Sequence, residues 1–248
     1  MTNFQQVNRP APLKNVAAFS TLVQKMVDRK RDEPGLACFF GPSGWGKTKA
    51  AVYGANRYRA TYIECGQFTT ARSLLSSILI ELGQPKPRGT IEDMKNDAIM
   101  FMVGDSRRPL IVDEAHFVAS KRFVDVLREL SDKSGAPVIL IGEEMLPSAL
   151  EQFERVHNRV LKWLPAEPCD AEDFDLLVAA RCQGVKVAPD LAAEILAQTK
   201  GNTRRIVVNL SRVMDLAQEL GRDSIDLAAF GGAGAINTAR SPKPRRGY

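Results

Sequence analysis

The fold class follows from one stretch of the sequence, Gly41-Pro42-Ser43-Gly44-Trp45-Gly46-Lys47-Thr48. The residues before it, 36–40, are apolar and predict a buried strand, and those after it, 49–55, predict a helix. A glycine, four residues and Gly-Lys-Thr between a strand and a helix form the phosphate-loop pattern. Its glycines let successive main-chain N–H groups converge on a phosphate at the positive end of the helix. The stretch therefore predicts a site for a nucleoside triphosphate.

The side chains of this loop indicate the ligand in more detail. All eight residues from Gly41 to Thr48 are expected to contact ATP. Lys47 is expected to reach the β- and γ-phosphates, and the Thr48 hydroxyl is expected to coordinate Mg²⁺. The alternative is a glycine-rich turn that matches the pattern by chance, and the order of strand, loop and helix argues against it.

A second apolar run, residues 109–112, ends in two acids, Asp113 and Glu114. Because parallel sheets bind ligands at the carboxyl ends of their strands, Asp113 is expected to hold Mg²⁺ through its water shell. Glu114 is expected to orient and polarise the attacking water. The pair lies about 65 residues after the phosphate loop, and the two motifs together predict hydrolysis of ATP. His116 is either a structural histidine or a residue that couples the nucleotide state to a partner.

The composition is that of a globular protein. The chain has 248 residues, of which 44% are hydrophobic and 25% charged. No apolar stretch approaches the ~18 residues that a membrane helix needs, and the N-terminus lacks a signal-peptide pattern. A cytoplasmic protein of a bacterial cell or phage-infected host, with no membrane partner, is therefore expected. The four cysteines form no CxxC pair and predict reduced packing residues.

Apolar runs alternate with helical periodicity as far as residue 165, and helices alone are predicted beyond it. The predicted fold class is α/β, a P-loop NTPase whose parallel sheet core is covered on both faces and followed by a small helical lid. The predicted boundaries are 1–34 for an N-terminal arm and helix, 35–165 for the sheet domain, 166–222 for the lid and 223–248 for a basic, disordered tail.

Hydrolysis also needs a cation against the charge that develops on the γ-phosphate. Arg155 and Arg159 precede the last predicted strand, where an arginine can serve a neighbouring subunit, and Arg159 is the preferred candidate. Arg204 lies in Gly201-Asn202-Thr203-Arg204 at the start of a lid helix and is expected to contact the nucleotide. The alternative for each arginine is an ordinary exposed side chain at a helix end.

Together these residues resemble the AAA+ ATPases. The resemblance rests on the phosphate loop, Asp113-Glu114-Ala115-His116, the arginine before the last strand and Gly201-x-x-Arg204. The Asp-Glu-Ala-His sequence, the short lid and the helix with Leu127-Arg128-Glu129-Leu130 are similar to the transposition ATPases, the family of the phage Mu transposition protein B and its relatives in Tn7-like elements. The resemblance covers residues 12–220.

This resemblance implies an ATPase that assembles as a homo-oligomer, a ring or a helical filament, on double-stranded DNA when ATP is bound. It implies selection of transposition target DNA, recruitment and activation of a transposase, and release on hydrolysis. Two features depart from the family's pattern. Glu143 stands where AAA+ proteins usually carry Asn, Thr or Ser to sense the γ-phosphate, which predicts slow hydrolysis. The helix-turn-helix domain at the N-terminus of the Mu protein has no counterpart in this sequence.

Binding to many DNA sequences implies contacts with phosphates rather than with bases. The candidate contacts are Lys86 and Arg88 in one loop, and Lys121 and Arg122 after the acid pair. No aromatic residues alternate with them, which argues against a stacking, single-strand mode. Four of the five net positive charges fall in residues 231–248, and this tail either binds a polyanion or only increases solubility.

Two other functions remain open at this point. The first is an ATPase that loads a replicative helicase, which uses the same machinery and differs in the partner that it recruits. The second is an NTP-binding adaptor that hydrolyses weakly, and Glu143 favours this alternative. Turnover that is unaffected by Glu114→Gln would support the adaptor.

Overall fold

The computed structural model describes residues 11–238, which form two compact units. The sheet unit comprises residues 15–167, and the C-terminal unit comprises residues 168–238 together with residues 11–14. The predicted boundary between sheet domain and lid, at residue 165, lies close to this division. The predicted N-terminal segment 1–34 is not a separate part, because its helix from Asn15 onward packs within the sheet unit. The rest of the predicted arm, residues 1–10, lies outside the described residues.

The sheet unit alternates strands and helices. Its elements in chain order are α1 (Lys14–Val27), β1 (Leu36–Phe40), α2 (Lys47–Tyr58), β2 (Thr61–Glu64), α3 (Ala71–Glu81), α4 (Ile91–Gly104), β3 (Leu110–Asp113), α5 (His116–Ser120), α6 (Asp125–Ser134), β4 (Val138–Gly142), α7 (Leu146–Glu151), α8 (Glu154–His157) and β5 (Val160–Pro165). The five strands form one parallel sheet in the order β2-β3-β4-β1-β5. The predicted α/β fold class is therefore confirmed.

The central strands are apolar on both faces because helices cover both. Every residue of β3 and β4 is buried, and β1 is buried up to Phe39. On one face, the ring of Phe19 from α1 lies 5.3 Å from that of Phe39. Gly54 of α2 permits this close packing, since a Cβ there would lie 2.7 Å from the Phe19 ring. The apolar stripe of α1 is thereby fixed against the strand that leads into the phosphate loop.

The C-terminal unit is mainly helical, with a short parallel pair of strands. Its elements are α9 (Ala171–Arg181), β6 (Lys186–Val187), α10 (Pro189–Thr199), α11 (Thr203–Leu220), β7 (Ser224–Ile225), α12 (Leu227–Phe230) and a 3₁₀ turn (Ala233–Ala235). Its core includes Ile195, Leu210 and Phe230, each fully buried. None of the helices in residues 11–238 has the length and apolar character needed to cross a membrane.

The prediction that residues 223–248 form a disordered tail is wrong for the first part of this segment. Ile225, Phe230 and Ile236 are buried in the core of the C-terminal unit, and β7 pairs with β6. The amide of Asn209 further binds the chain at Asn237, donating to its carbonyl at 3.1 Å and accepting from its N–H at 2.8 Å. These isolated apolar residues lie among glycines and alanines, so their contribution to the core was not evident from periodicity. Residues 239–248 lie outside the described part of the chain.

The four cysteines are buried, free side chains, in agreement with their predicted packing role. Burial raises the pKa of the Cys65 thiol to about 12, and the nearby Asp113 carboxylate adds to the effect. Burial likewise raises the pKa of the Cys169 thiol to about 12. Both thiols are therefore protonated and unreactive near neutral pH.

Candidate nucleotide-binding site

The phosphate loop connects β1 to α2 at the carboxyl end of the sheet. Three of its glycines have positive φ angles, 153° at Gly41 and 85° at both Gly44 and Gly46, a conformation that L side chains rarely adopt. At Gly41 a Cβ would also lie only 3.0 Å from that of Ala166. The glycines are thus required by the path of the backbone, and the loop leads directly into the N-terminus of α2.

The Lys47 ammonium lies against the loop that it belongs to. Its Nζ donates to the carbonyl oxygens of Gly41 at 2.6 Å and of Pro42 at 2.9 Å, and the side chain is buried. A cation held by the main chain of a glycine-rich loop, at a helix N-terminus, is suited to bind a phosphate. Thr48 follows in the first turn of α2 and is exposed, so its hydroxyl is accessible to a ligand.

Asn15 supports this loop and was not singled out from the sequence. Its amide Nδ2 donates to the carbonyl of Trp45 at 2.7 Å and to that of Glu167 at 2.8 Å. Its Oδ1 accepts from the Glu167 N–H at 2.9 Å. The sequence did carry a signal, because Asn15 is a polar residue on the helical stripe that continues with Phe19 and Leu22. A polar side chain on such a stripe must find partners, and it finds them on the phosphate loop.

Asp113 ends β3 and is 1% exposed. Its Oδ1 accepts the Glu114 N–H at 2.8 Å, and its Oδ2 accepts the Tyr62 hydroxyl at 3.0 Å. The end of β4 connects this acid pair to the phosphate loop. The Gly41 N–H donates to the carbonyl of Gly142 at 3.3 Å, and the Ala115 N–H donates to the carbonyl of Ile141 at 2.7 Å. The structure therefore brings the two predicted motifs to the same edge of the sheet.

Glu114 has an unusual backbone conformation, with a φ of 54°. Non-glycine residues in this region cost free energy and often occur at functional sites. Burial, and then the adjacent Asp113 carboxylate, raises the pKa of Glu114. His116 lies beside it, with Nδ1 3.3 Å from Glu114 Oε2, and its ring packs on Phe117. This contact gives His116 a place next to the acid pair, while its coupling to a partner stays a prediction.

Glu143 directly follows β4, the strand between those that carry the phosphate loop and the acid pair. It is exposed, and its charge acts on Glu114 to raise the pKa of that carboxyl. An acidic side chain therefore lies near the acid pair at the position where the sequence predicted an unusual sensor.

The two candidate arginine fingers lie at the amino ends of the strands, on the opposite side of the sheet from the phosphate loop. The carbonyl of Arg159 accepts from the N–H of Leu36, the first residue of β1, whereas the phosphate loop follows the last residue of β1. About four residues of strand, roughly 13 Å, separate these two ends. Arg159 Nε lies 3.2 Å from Asp132 Oδ1, while Arg155 forms no ion pair within residues 11–238. With Arg128 and Asn158, the two arginines line an open pocket of about 410 Å³.

The four predicted DNA contacts occur in two loops that both touch the start of α3. Lys121 Nζ donates to the carbonyls of Gln67 and Thr69, just before this helix. Arg72, in its first turn, donates to the carbonyl of Gly89 at 2.9 Å, next to Arg88. The side chains in question are all exposed: Lys86, Arg88, Lys121 and Arg122.

One aromatic residue lies among these basic side chains. Phe68 is 89% exposed, at the tip of the loop that Lys121 binds. It lies far in sequence from Lys121 and was missed by a search for aromatics that alternate with basic residues. The lack of such an alternation is therefore a weaker argument against base stacking than the sequence indicated.

Gly201 and Arg204 belong to the C-terminal unit. Gly201 has a φ of 70°, and a Cβ there would lie 2.6 Å from Pro168, so glycine is required by close packing. Asn202 caps α11 by accepting the Arg205 N–H at 3.1 Å. Arg204 is exposed in the first turn of this helix. Its contact with a nucleotide stays a prediction.

The fold and the loop geometry together define a P-loop NTPase fold. Residues 29–150 match the model of a protein family described as AAA domain. The sheet unit is therefore an AAA-type P-loop ATPase domain. No curated protein matches the sequence.

Three solved structures illustrate the similarity. The Aeropyrum pernix ORC2 protein in ADPNP-ADP complexes has a TM-score of 0.68 and 15% identity, over 93% of this chain and 68% of that one. The Aeropyrum pernix ORC1 protein in complex with DNA has a TM-score of 0.66 and 17% identity, over 94% and 67%. Cdc6p from Pyrobaculum aerophilum has a TM-score of 0.63 and 18% identity, over 90% and 66%. The chain thus spans about two thirds of each structure, and at these identities they share its fold.

Proposed function

We propose that this protein binds and hydrolyses ATP at the edge of the sheet that carries the phosphate loop and the acid pair. The observation that carries the proposal is that both motifs are hydrogen-bonded to the end of β4. The Gly41 N–H donates to the Gly142 carbonyl, and the Ala115 N–H donates to the Ile141 carbonyl. This arrangement gives one site a buried lysine for phosphate, a buried aspartate and a half-buried glutamate. The ORC2 structure with ADPNP and ADP has the same fold and supports this choice of ligand.

The donor set suits Mg²⁺. The exposed Thr48 hydroxyl would bind the ion directly, and the buried Asp113 carboxylate would accept hydrogen bonds from its bound water; both are hard oxygen groups, the type that Mg²⁺ prefers when it shares phosphates with the protein. Residues 11–238 contain no group of three or more His, Cys, Asp or Glu that could hold a metal alone. When bound, Mg²⁺ neutralises charge on the phosphates. Lys47 binds the phosphates, and Glu114 orients and polarises the attacking water.

The position of the arginines supports an active oligomer. Arg159 lies at the end of the sheet opposite to the phosphate loop of the same sheet unit, and Arg155 lines the same pocket as Arg159. A role for either in hydrolysis therefore requires a second copy of the chain, whose phosphate loop meets this end. ATP at such a junction would order the copies into a ring or filament, and the site would be complete only in the assembly.

We further propose that the assembly binds double-stranded DNA through phosphates. The support is the grouping of Arg88, Lys121 and Arg122 near the start of α3, with Lys86 in the same loop as Arg88. Similarity of fold to the ORC1 protein in complex with DNA is consistent with this proposal. Arg88→Ala and Arg122→Ala should weaken binding to all sequences alike and reduce its dependence on salt concentration by about one ion each.

The test is ATP turnover with and without plain double-stranded DNA, with the same samples viewed by electron microscopy. Stimulation by DNA and ATP-dependent assemblies on DNA are expected. Lys47→Ala should abolish both, whereas Lys49→Ala, an exposed lysine two residues further on, should change neither. Unchanged assemblies of the Lys47 variant would contradict the role of the phosphate loop. If DNA has no effect and no assembly forms, the protein acts instead as a weakly hydrolysing adaptor.

Two proposals remain for the role of the ATPase, and they differ in the partner that it recruits. Recruitment of a transposase follows from the resemblance of Asp113-Glu114-Ala115-His116 and the short lid to the transposition ATPases. Loading of a helicase is the second candidate, favoured by the fold that the chain shares with the ORC1, ORC2 and Cdc6p structures. Stimulation of strand transfer by a purified Mu-type or Tn7-type transposase would support the first. Stimulated loading of a purified hexameric helicase onto single-stranded DNA would support the second.

A further inference from the structure

Asp113 has a partner on the neighbouring strand that the proposed reaction does not use. Tyr62 lies on β2, opposite Ile111 of β3, and its hydroxyl reaches along the sheet to donate to Asp113 Oδ2 at 3.0 Å. The other oxygen, Oδ1, accepts the Glu114 N–H at 2.8 Å. The two bonds come from different elements and hold one oxygen each.

These two bonds fix the plane of the carboxylate. An ionised carboxylate has about four lone-pair positions, so each oxygen keeps capacity for one further donor. With both oxygens held, that remaining capacity keeps a fixed direction relative to the end of β3. Without Tyr62, a single bond to Oδ1 would let the group rotate about its Cβ–Cγ bond.

We propose that Tyr62 is a positioning residue that orients Asp113 for water molecules bound to Mg²⁺. The inference rests on the proposed function, since it concerns the metal that accompanies the nucleotide. Partners that orient a metal-binding carboxylate typically contribute 10- to 100-fold to metal affinity. Tyr62 acts only through Asp113, so its contribution to Mg²⁺ binding should depend on that carboxylate.

The experiment measures binding of a fluorescent ADP analogue at increasing Mg²⁺ concentration, for the full chain. Tyr62→Phe removes only the hydroxyl and should raise the half-saturating Mg²⁺ concentration about tenfold. Binding of the analogue in EDTA should be unchanged. Tyr58→Phe is the matched control, because Tyr58 also loses one hydrogen bond, 3.0 Å to the Ser20 carbonyl in the same unit. Its Mg²⁺ curve should coincide with that of the wild type.

The double variant distinguishes positioning from general stability. In an Asp113→Asn background, Tyr62→Phe should produce no further shift of the Mg²⁺ curve. A lower melting temperature with an unshifted Mg²⁺ curve would overturn the inference and leave ATP binding intact. Equal shifts with Asp113 and with Asn at position 113 would also overturn it. If the wild type shows no Mg²⁺-dependent binding of the analogue, the proposed function fails, and this inference fails with it.

Discussion

The side-chain amide of Asn15 donates a 2.7 Å hydrogen bond to the carbonyl of Trp45, in the middle of the phosphate loop. The same side chain makes two hydrogen bonds to the main chain of Glu167. Asn15→Ala removes three partly buried hydrogen bonds, which should lower the free energy of unfolding by about 1 kcal/mol. Because the loop also loses its support, we expect affinity for ATP to fall about tenfold, as measured by calorimetry.

Asn209 provides a matched control for this substitution. It is 1% exposed, and its amide makes the same set of three bonds, two as donor to the carbonyls of Arg205 and Asn237 and one as acceptor from Asn237. Asn209→Ala should therefore destabilise the C-terminal unit by a similar amount without loosening the loop. If both variants lose ATP affinity equally, the effect of Asn15 is one of general stability.

The contiguous motifs are the part of the site that could be predicted from sequence. Gly41 to Thr48 and Asp113-Glu114 each combine residue type with a neighbouring strand, and the structure brings them together. The supports of these motifs come from distant positions. Asn15 is 30 residues from Trp45 and Tyr62 is 51 residues from Asp113, and local patterns carry no information about such pairs.

The fold shows the same division between local and distant information. Buried parallel strands such as β3 and β4 are continuous apolar runs and were predicted as such. The segment from 223 to 238 was wrongly predicted to be disordered because its apolar residues are isolated. Ile225 and Phe230 gain their burial from α10 and α11, which the local sequence does not reveal.

The ion pair between Arg159 and Asp132 bears on the choice of arginine finger. The pair is exposed on the arginine side, and such pairs contribute only about 0–1 kcal/mol, so Arg159 can exchange it for a phosphate. We therefore expect Arg159→Ala to leave ATP binding intact and to reduce DNA-stimulated hydrolysis at least tenfold. Arg155→Ala, measured in parallel, should have the smaller effect. The reverse order would identify Arg155 as the finger, and two unaffected variants would exclude both.

Mixing two inactive variants tests whether the arginine acts on a neighbouring copy. Glu114→Gln retains the arginine but lacks the residue that polarises water. Arg159→Ala retains Glu114 but lacks the arginine. In a random assembly, about one quarter of the junctions combine an intact site with an intact arginine. Turnover should recover to about that fraction of the wild-type value. Mixtures no more active than their components would place the catalytic cation within the same chain.

Glu143 provides a prediction that depends on charge. Its carboxylate lies near Glu114, at the edge of the sheet where the γ-phosphate is expected. Two unit charges of the same sign about 8 Å apart repel by about 1 kcal/mol at an effective dielectric constant of about 40. Glu143→Asn should therefore raise affinity for ATP roughly fivefold and affinity for ADP less, since ADP lacks the γ-phosphate.

Glu144→Asn is the natural control, because it removes an equal charge from the next exposed residue. It should leave the ratio of ATP to ADP affinity unchanged. Turnover should also rise in the Glu143 variant, because it removes the carboxylate from which slow hydrolysis was predicted. If ATP and ADP affinities rise equally in both variants, the effect comes from net charge. Glu143 would then have no specific place beside the γ-phosphate, and the slow hydrolysis predicted from it would need another cause.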